Sequence, residues 1–293
     1  MKLHIFNPEN DMALASGSPG YTAPANIREY RRRNRFLPQL WAGPGDIVWD
    51  GETNLAHLFA DEANAPEICP WGWSPALVHE LSLAGVPAKY LPDKEWLSRL
   101  RLLSGRESTV PLQQRFGLDA CVCHSLEEVR LYVGKWKRVV MKSPWSSSGK
   151  GIMMTDNPNW QGWVLRILAR QGAVIVERFM AHILDFAMEF RMASGVAEYV
   201  GLNVFRTDAH GHFVDNIQTD GQDNEAFVAS HIRPLESLPE IRTWYLQHLP
   251  RLAPWYSGPV GVDMMVLPDG GVNPCVEINW RMTMGMAAVC AAK

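Results

Sequence analysis

The chain has 293 residues, 47% hydrophobic and 20% charged, so it is long enough to bury a large core divided into two or three lobes. Its 28 Lys plus Arg residues against 31 Asp plus Glu residues leave a net charge of -3, which argues against a general affinity for nucleic acid. No apolar run approaches the roughly 18 residues of a membrane span. The N-terminus also lacks the apolar core of a secretory signal.

The five cysteines indicate reduced thiols. They are odd in number and contain no CxxC pair, a usage typical of a cytoplasmic protein. They are Cys69, Cys121, Cys123, Cys275 and Cys290. We therefore expect a cytoplasmic location and ordinary buried thiols, with metal or redox use of Cys121 and Cys123 as the alternative.

The first hundred residues predict an alternating α/β unit with a parallel sheet. The predicted strands are 3–6, 47–49 and 86–90, and the predicted helices are 25–41 and 74–84. Ser74 caps the second helix, Pro75 takes its first position and Gly85 ends it. The polar segment 7–11 directly follows the first strand, so it is either a substrate loop or a solvated turn.

From about residue 107 the pattern changes to a series of strands with two helices. One helix begins at Ser125, with acidic residues in its first turn, and the other covers 160–170. The remaining elements are predicted as strands at 138–142, 152–154, 173–179, 186–192, 197–205 and 212–217.

A loop of small residues follows the strand that ends at Lys142. Small residues let the backbone approach a ligand, and their amide and hydroxyl donors suit phosphate oxygens. The loop consists of Ser146, Ser147, Ser148, Gly149, Lys150 and Gly151. Gly151 stands where a P-loop needs Ser or Thr, and Met154 stands where a dinucleotide fingerprint needs its third glycine. Lys142 could neutralise phosphate charge here; the alternatives are a flexible hairpin and a lysine that extends to water.

The C-terminal region predicts a hairpin with two facing carboxylates. Strands are expected at 261–267 and 272–279 around a tight turn. If the hairpin is symmetric about Gly270, Asp263 and Glu277 lie directly opposite each other. Two carboxylates in that position repel unless something neutralises them.

Side-chain alternation extends this set along the second strand. One face carries Glu277, Asn279 and Arg281, and the other carries Val276 and Ile278. The two facing carboxylates and Asn279 supply the hard oxygen ligands that magnesium requires when it bridges nucleotide phosphates. A bulge at Pro274 would shift this register, and two unrelated acids at strand ends are the alternative reading.

Taken in order, these motifs resemble those of the ATP-grasp superfamily, which includes carboxylate–amine ligases. The resemblance covers roughly residues 107–285. It rests on Lys142, the 146–151 loop, and segments 174–179, 261–263 and 276–281.

The resemblance implies how ATP and Mg²⁺ would bind. Lys142 would contact nucleotide phosphate, and the small-residue loop would fold over the phosphates as a lid. Glu177, Arg178 and Phe179 would form the hinge against adenine. Asp185 would bind the ribose hydroxyls, with Glu189 as its rival.

The resemblance also implies the metal ligands and the residues at the reacting group. Asp263, Glu277 and Asn279 would hold magnesium. Arg281 or Arg191 would meet an acyl phosphate or its tetrahedral successor.

The fold implied is α/β, with an ATP-grasp core of two subdomains that grip ATP. Residues 1–106 would form a preceding parallel α/β domain and 107–293 the ATP-grasp domain, with a lid subdomain at about 125–180 and a metal-binding subdomain at about 181–293. The implied function is a carbon–nitrogen ligase that uses an acyl phosphate. A small-molecule kinase and a non-catalytic nucleotide-binding protein are the alternatives. Small molecules are the expected partners, without nucleic acid or membrane, and no sequence signal defines the oligomeric state.

Overall fold

The chain folds into three β-sheets covered by helices in a computed structural model that describes residues 1–146, 151–208, 211, 213–217 and 223–292. Within that part of the chain the sheets have three, four and five strands. We call them the N-terminal, small and large sheets. None of the helices in the described ranges is long and apolar enough to cross a membrane.

The N-terminal sheet is parallel, with strand order β2-β1-β3. Its strands are β1 (Lys2–Ile5), β2 (Ile47–Val48) and β3 (Glu67–Pro70), and its helices are α1 (Asn10–Ser16), α2 (Ala25–Asn34), α3 (Pro75–Leu83) and α4 (Lys94–Ser104). The α3 start is as predicted, because Ser74 Oγ accepts a hydrogen bond from the Leu77 amide at 3.3 Å. Leu3, Ile5, Leu77 and Leu81 form the core of this unit.

Two predictions for this region are wrong. The predicted strand 86–90 contains the 3₁₀ helix Ala88–Tyr90, and the third parallel strand is β3. Pro87 has no amide hydrogen to donate to a strand ladder. The predicted helix 25–41 ends at Asn34 and is followed by the 3₁₀ helix Leu37–Leu40. Pro38 within this segment is incompatible with a continuing α-helix, since its ring would meet the carbonyl four residues earlier.

The small sheet is antiparallel, with strand order β4-β7-β5-β6. Its strands are β4 (Ala120–Cys123), β5 (Val139–Lys142), β6 (Ile152–Met154) and β7 (Val174–Arg178). Helix α5 (Val110–Arg115) precedes it, and α6 (Leu126–Trp136) and α7 (Trp160–Gln171) pack on one face. Ser125 caps α6 as predicted, since its Oγ accepts from the Glu128 amide at 3.2 Å. Cys121 and Cys123 are free, buried thiols of β4.

The large sheet is antiparallel, with strand order β10-β9-β8-β11-β12. Its strands are β8 (Leu184–Ala193), β9 (Val196–Thr207), β10 (Phe213–Asn216), β11 (Gly258–Val266) and β12 (Val272–Asn279). Helices α8 (Asn224–Ala229), α9 (Leu238–Leu252) and α10 (Met284–Ala291) complete this part of the chain.

Alternation along β8 divides the large sheet into a core face and a polar face. Phe186 and Phe190 belong to the main hydrophobic core together with Tyr245 and Leu249 of α9. Asp185 and the residues that alternate with this core set point to the other face. That second face forms one wall of the site described next.

Candidate functional site

A cavity of about 320 Å³ lies among the three sheets. The small sheet contributes Lys142 and Glu177 to its wall, the large sheet contributes Asp263, and the N-terminal unit contributes Phe6 and Trp71. Most sequence-predicted site residues that the structure describes therefore line one shared space.

Strand register orders the large-sheet wall into three rows. The rows are Phe205, Asp185 and Met265; then Asn203, Ala187 and Asp263; then Gly201, Glu189 and Gly261. Each row is two residues further along the strands, so neighbouring rows are about 6.7 Å apart. The first row lies beside the segment that connects the two larger sheets, and the third row lies toward the N-terminal unit. Asp185 and Glu189 are therefore about 13 Å apart and cannot serve the same ligand group.

The β11–β12 hairpin places Asp263 opposite Glu277, as predicted. Nearer the turn, Met265 pairs with Asn273, and the register shifts between these two pairs. An unshifted hairpin with the Met265–Asn273 register would place Cys275 opposite Asp263. The bulge in β12 therefore brings the second carboxylate into position.

Val276 and Ile278, next to this bulge, have different surroundings. Val276 borders the cavity, where its carbonyl oxygen accepts a hydrogen bond from Lys142 Nζ at 3.4 Å, whereas Ile278 is 6% exposed and belongs to the core. Glu277 and Asn279 keep their predicted orientation toward the cavity.

The facing carboxylates form a site that would accept a cation. Burial raises the pKa of Asp263 to about 7, and the charge of Glu277 adds to this effect. Asn279 donates a hydrogen bond from Nδ2 to Asp263 Oδ2 at 3.1 Å. Within the described ranges no group of three His, Cys, Asp or Glu forms a metal site. The candidate set instead has two carboxylates and one amide oxygen, a donor set that suits Mg²⁺ and leaves room for phosphate oxygens.

Arg106 is a site residue that sequence reasoning missed. Its Nη2 donates to Glu277 Oε2 at 2.9 Å, and its Nη1 donates to Ser143 O at 2.8 Å and Ser146 Oγ at 2.7 Å. The side chain is 7% exposed. Arg106 thus joins the candidate metal site to the start of the small-residue loop. It lies in the 3₁₀ helix Arg106–Thr109, outside every recognised motif, and no local signal distinguishes it.

Lys142 lies where the sequence predicted a cation, but it does not extend to bulk water. Its Nζ is 2.8 Å from Glu177 Oε2 and donates to Val276 O at 3.4 Å, and the residue is only 5% exposed. Gln113, also missed from the sequence, donates from Nε2 to Glu177 Oε1 at 3.2 Å. These contacts hold Lys142 between the small sheet and β12. A buried lysine paired with one carboxylate remains able to turn toward a phosphate anion.

The small-residue loop is described only at its two ends. Ser146 lines the cavity, and a Cβ at Gly151 would overlap Ser143 Oγ and Ser146 Cβ, so this position requires glycine. Ser147, Ser148, Gly149 and Lys150 lie outside the described residues. The predicted lid role of the loop stays a prediction.

The predicted hinge Glu177–Phe179 borders an apolar part of the cavity. Val140, Ile152 and Met154 line the same region. The Arg138 guanidinium lies 3.7 Å from the centre of the Phe179 ring, and the exposed Arg178 is 3.5 Å from Asp119 Oδ2. An apolar wall with a few polar groups at its edge is a surface suited to a planar heterocycle.

Asp185 lies at the hinge end of the cavity with both oxygens engaged. Thr207 Oγ1 donates to Oδ2 at 2.6 Å, and His182 Nε2 is 3.3 Å from Oδ1. The hydrogen bond to Asp185 raises the pKa of His182. Asp185 therefore shares this end of the cavity with the predicted hinge, whereas Glu189 lies two rows away.

The two arginine candidates are in different environments. Arg281 lines the cavity, and Asp11 holds it by two hydrogen bonds, from Nε at 2.8 Å and from Nη2 at 2.7 Å. Arg191 is exposed and is absent from the described residues that line the cavity. Of the two predicted arginines, Arg281 therefore lies at the cavity wall and Arg191 does not.

Segment 7–11 is largely buried and is not a solvated turn, and part of it lines the cavity. Asn7 and Asn10 are 1% and 2% exposed, and Asn7 Nδ2 donates to Gly72 O at 2.7 Å. A Cβ at Gly72 would overlap the Asn10 side chain, so this close approach requires glycine. Pro8 lines the cavity, and Asp11 pairs with Arg281. The segment thus packs the N-terminal unit against the end of the cavity.

Glu189 is a buried carboxyl of the site whose pKa, like that of Asp263, is raised. It is fully buried; its Oε1 accepts from Thr283 Oγ1 at 2.7 Å, while Oε2 has no hydrogen-bond partner among the residues that the structure describes. Burial raises its pKa from about 4.5 to about 8. Thr283 also caps α10 by accepting from the Met286 amide at 2.8 Å. The carboxyl is therefore fixed below the start of α10.

The raised pKa of Glu189 predicts that the free energy of unfolding of the ligand-free protein depends on pH. Because its pKa is raised on folding, the neutral form stabilises the fold fully below about pH 4.5, and this contribution is lost as pH rises through about 8. In the wild-type protein this group lowers the free energy of unfolding by up to about 1.4 kcal/mol per pH unit, and in Glu189→Gln that decrease should disappear. Denaturant unfolding at pH 5 and pH 8 measures the free energy of unfolding of both proteins. A difference between variant and wild type that is the same at both pH values would contradict the assignment.

No family model matches the chain, and no curated protein matches it in sequence. Its fold is nevertheless similar to solved structures. One is a biotin carboxylase–beta-gamma-ATP complex from Campylobacter jejuni, with a TM-score of 0.54 and 13% identity over 100% of this chain and 71% of that chain. Another is a phosphoribosylamine–glycine ligase from Thermotoga maritima, with a TM-score of 0.54 and 13% identity over 99% and 71%. A third is an N5-carboxyaminoimidazole synthetase from Staphylococcus aureus complexed with ADP, with a TM-score of 0.51 and 10% identity over 97% and 71%.

These similarities define the class of fold. The small and large antiparallel sheets enclose the cavity, and a parallel α/β unit precedes them. The chain therefore has the ATP-grasp fold, as the order of its motifs predicted. Since a fold hosts many activities, the reaction must be argued from the residues of the site.

Proposed function

We propose that the protein binds ATP with Mg²⁺ and joins a carboxylate to an amine or similar nucleophile through an acyl phosphate. The observation that carries this proposal is the shared cavity, in which the facing pair Asp263 and Glu277 lies between an apolar hinge and the arginine Arg281. That order matches what the reaction needs: a place for a nucleotide base, a site for metal and phosphates, and a cation beside the reacting group.

The hinge end would bind the nucleoside. Adenine would lie against Phe179 and the apolar side chains of β5 and β6, and Asp185 would accept hydrogen bonds from ribose hydroxyls. Lys142 would exchange its contact with Glu177 for the nucleotide phosphates. The bound phosphates supply more negative charge than one carboxylate, which favours that exchange.

The middle of the cavity would hold the metal. Asp263, Glu277 and Asn279 would ligate Mg²⁺, which supplies charge neutralisation for the transferred phosphoryl group. Asp263 must be ionised to act as a ligand, and burial and the neighbouring charge of Glu277 both raise its pKa, an effect that a bound cation would offset. Arg106 fixes one oxygen of Glu277 and so determines the direction in which the other oxygen points.

Arg281 would stabilise charge on the reacting acyl group. Its bidentate pair with Asp11 holds the guanidinium in one orientation at the cavity wall. A preoriented cation stabilises a developing oxyanion more effectively than a mobile one, since no reorganisation is required during the reaction. We further propose that residues 1–106 form a domain that closes this end of the cavity, and that residues 107–293 form the ATP-grasp domain, with its lid at about 125–180 and its metal-binding part at about 181–293.

Phosphate release distinguishes this ligase from a kinase on the same fold. The protein is incubated with Mg²⁺, γ-labelled ATP and a metabolite pool, and products are followed by mass analysis. We expect ADP and free labelled phosphate only when a carboxylate and a nucleophile are both present. Label retained on an organic product would identify a kinase, and ATP binding without turnover in any pool would identify a nucleotide-binding protein.

A further inference from the structure

The end of the cavity farthest from the hinge combines one buried carboxyl with an aromatic wall. Phe6, Tyr30 and Trp71 from the N-terminal unit line this end. The Phe6 ring centre lies 5.2 Å from that of Trp71 and 6.0 Å from that of Tyr30. The nucleotide, metal and acyl-group roles proposed above use none of these rings and do not use Glu189.

Glu189 and the aromatic wall meet at the start of α10. Met284 lines the cavity and packs in the cluster that contains Phe6 and Trp71. The next residue, Gly285, approaches Glu189 so closely that a Cβ would overlap Oε1. Two consecutive residues, Met284 and Gly285, thus contact the aromatic cluster and the Glu189 carboxyl, respectively.

Two glycines of the third row make room for this arrangement. Gly261 and Gly201 flank Glu189 in the sheet. A Cβ at Gly261 would lie 2.8 Å from Glu189 Oε2, and one at Gly201 would lie 2.6 Å from Val289 Cγ1 of α10. Both distances are shorter than those of real Cβ contacts. Glycine is therefore required at both positions for Glu189 and α10 to pack as they do.

The unpaired oxygen defines the chemistry of the missing partner. Burial raises the pKa of Glu189 and keeps the carboxyl protonated in the ligand-free protein, and a positively charged donor beside Oε2 would pair with the carboxylate form and so recover the cost of burying it. Arg281, the cation at this end of the cavity, already donates to Asp11 from Nε and Nη2, and it is not the donor to Glu189 Oε2. Asp11 and Glu277 are already paired with Arg281 and Arg106, so the charge of Asp263 is the one that a ligand here would meet, and a donor that carries positive charge suits it better than an anion.

We propose that this end is the subsite of the nucleophile, and that it binds an amine with an aromatic or similarly flat apolar body. Glu189 hydrogen-bonds the amino group, and Phe6, Tyr30 and Trp71 pack against the body. This inference rests on the proposed ligase function, and it names the class of its nucleophile. Ring faces also attract the protonated amine, and transfer of its proton to the Glu189 carboxylate would leave the neutral amine that acts as the nucleophile.

Binding of four small probes without nucleotide tests the proposal in the wild-type protein. The probes are 2-phenylethylamine, 2-phenylethanol, 3-phenylpropionate and butylamine, and binding is followed by calorimetry and by tryptophan fluorescence. We expect 2-phenylethylamine to bind at least about tenfold more tightly than each of the other three, since a charged hydrogen bond and a ring contact each contribute on that scale. Equal or tighter binding of 3-phenylpropionate, or no binding of 2-phenylethylamine, overturns the proposal.

Variants assign the preference to the named residues. Glu189→Gln should remove the preference for 2-phenylethylamine over 2-phenylethanol, whereas Glu198→Gln, the same change at an exposed position of β9, should keep it. Tyr30→Ala, at a side chain that is 45% exposed and so safe for folding, should reduce the preference for 2-phenylethylamine over butylamine. An unchanged preference in Glu189→Gln overturns the assignment.

Separate measurement of ATP binding keeps this test distinct from the proposed function. If ATP with Mg²⁺ binds and the amine preference is absent, only the subsite assignment fails. If the amine preference is present and ATP does not bind, the ligase proposal fails.

Discussion

Lys142→Ala should weaken ATP binding in the presence of Mg²⁺ by about a hundredfold. The lysine is the cation of the small sheet that faces the middle of the cavity, and a charged contact with phosphate contributes about 1.5 to 3 kcal/mol. Calorimetry with ATP and Mg²⁺ measures the change. Unchanged affinity would remove Lys142 from the site.

Two further variants separate phosphate binding from the loss of an ion pair. Lys142→Ala leaves the half-buried Glu177 without its partner, so some affinity could be lost through misplacement of the hinge. Glu177→Gln breaks the same pair while keeping the lysine, and it should cost much less affinity. Lys94→Ala removes one positive charge from an exposed position at the start of α4 and should have no effect beyond a small change in net charge. If Glu177→Gln weakens binding as much as Lys142→Ala, the pair and not the lysine charge is what ATP binding requires.

Arg281→Met should reduce turnover by about a hundredfold or more while ATP affinity stays within a few fold. The arginine is assigned to the reacting group, and loss of one preorganised electrostatic contact typically has an effect of this size on kcat. Steady-state kinetics and calorimetry on the same preparation measure the two quantities. Normal turnover in this variant would contradict the ligase mechanism.

The pair with Asp11 allows a sharper version of this test. Asp11→Asn keeps the cation but loses the charge that orients it, so it should lower kcat by less than Arg281→Met. Arg191→Met makes the same substitution at the other candidate arginine, which is exposed and outside the cavity wall, and should turn over normally. A larger loss in Arg191→Met than in Arg281→Met would reverse the assignment made from the structure.

The amino-acid pattern alone was sufficient for features that depend on residues close in the chain. Ser74 and Ser125 were recognised as helix caps because a side-chain oxygen bonds an amide only three residues away. A hairpin symmetric about Gly270 predicts the pairing of Asp263 with Glu277, and the structure has this pair because a bulge in β12 shifts a turn register that by itself would place Cys275 opposite Asp263. The same reasoning failed for strand β3, whose pairing with β1 is set by contacts across more than sixty residues, as in Lys2 opposite Glu67.

Tertiary structure decided every contact that joins distant segments. Arg106 and Glu277 are 171 residues apart, and Arg281 and Asp11 are 270 residues apart. Neither pair leaves a periodic or turn signal, because periodicity describes one element and not the packing of one element on another. The position of Arg191 outside the cavity wall, the distance between Asp185 and Glu189, and the unpaired oxygen of Glu189 are likewise consequences of how the three sheets and α10 enclose the cavity. The chain thus specifies its elements and its facing carboxylates locally, whereas the partners that orient the lysine, the arginines and Glu189 exist only once the sheets have packed.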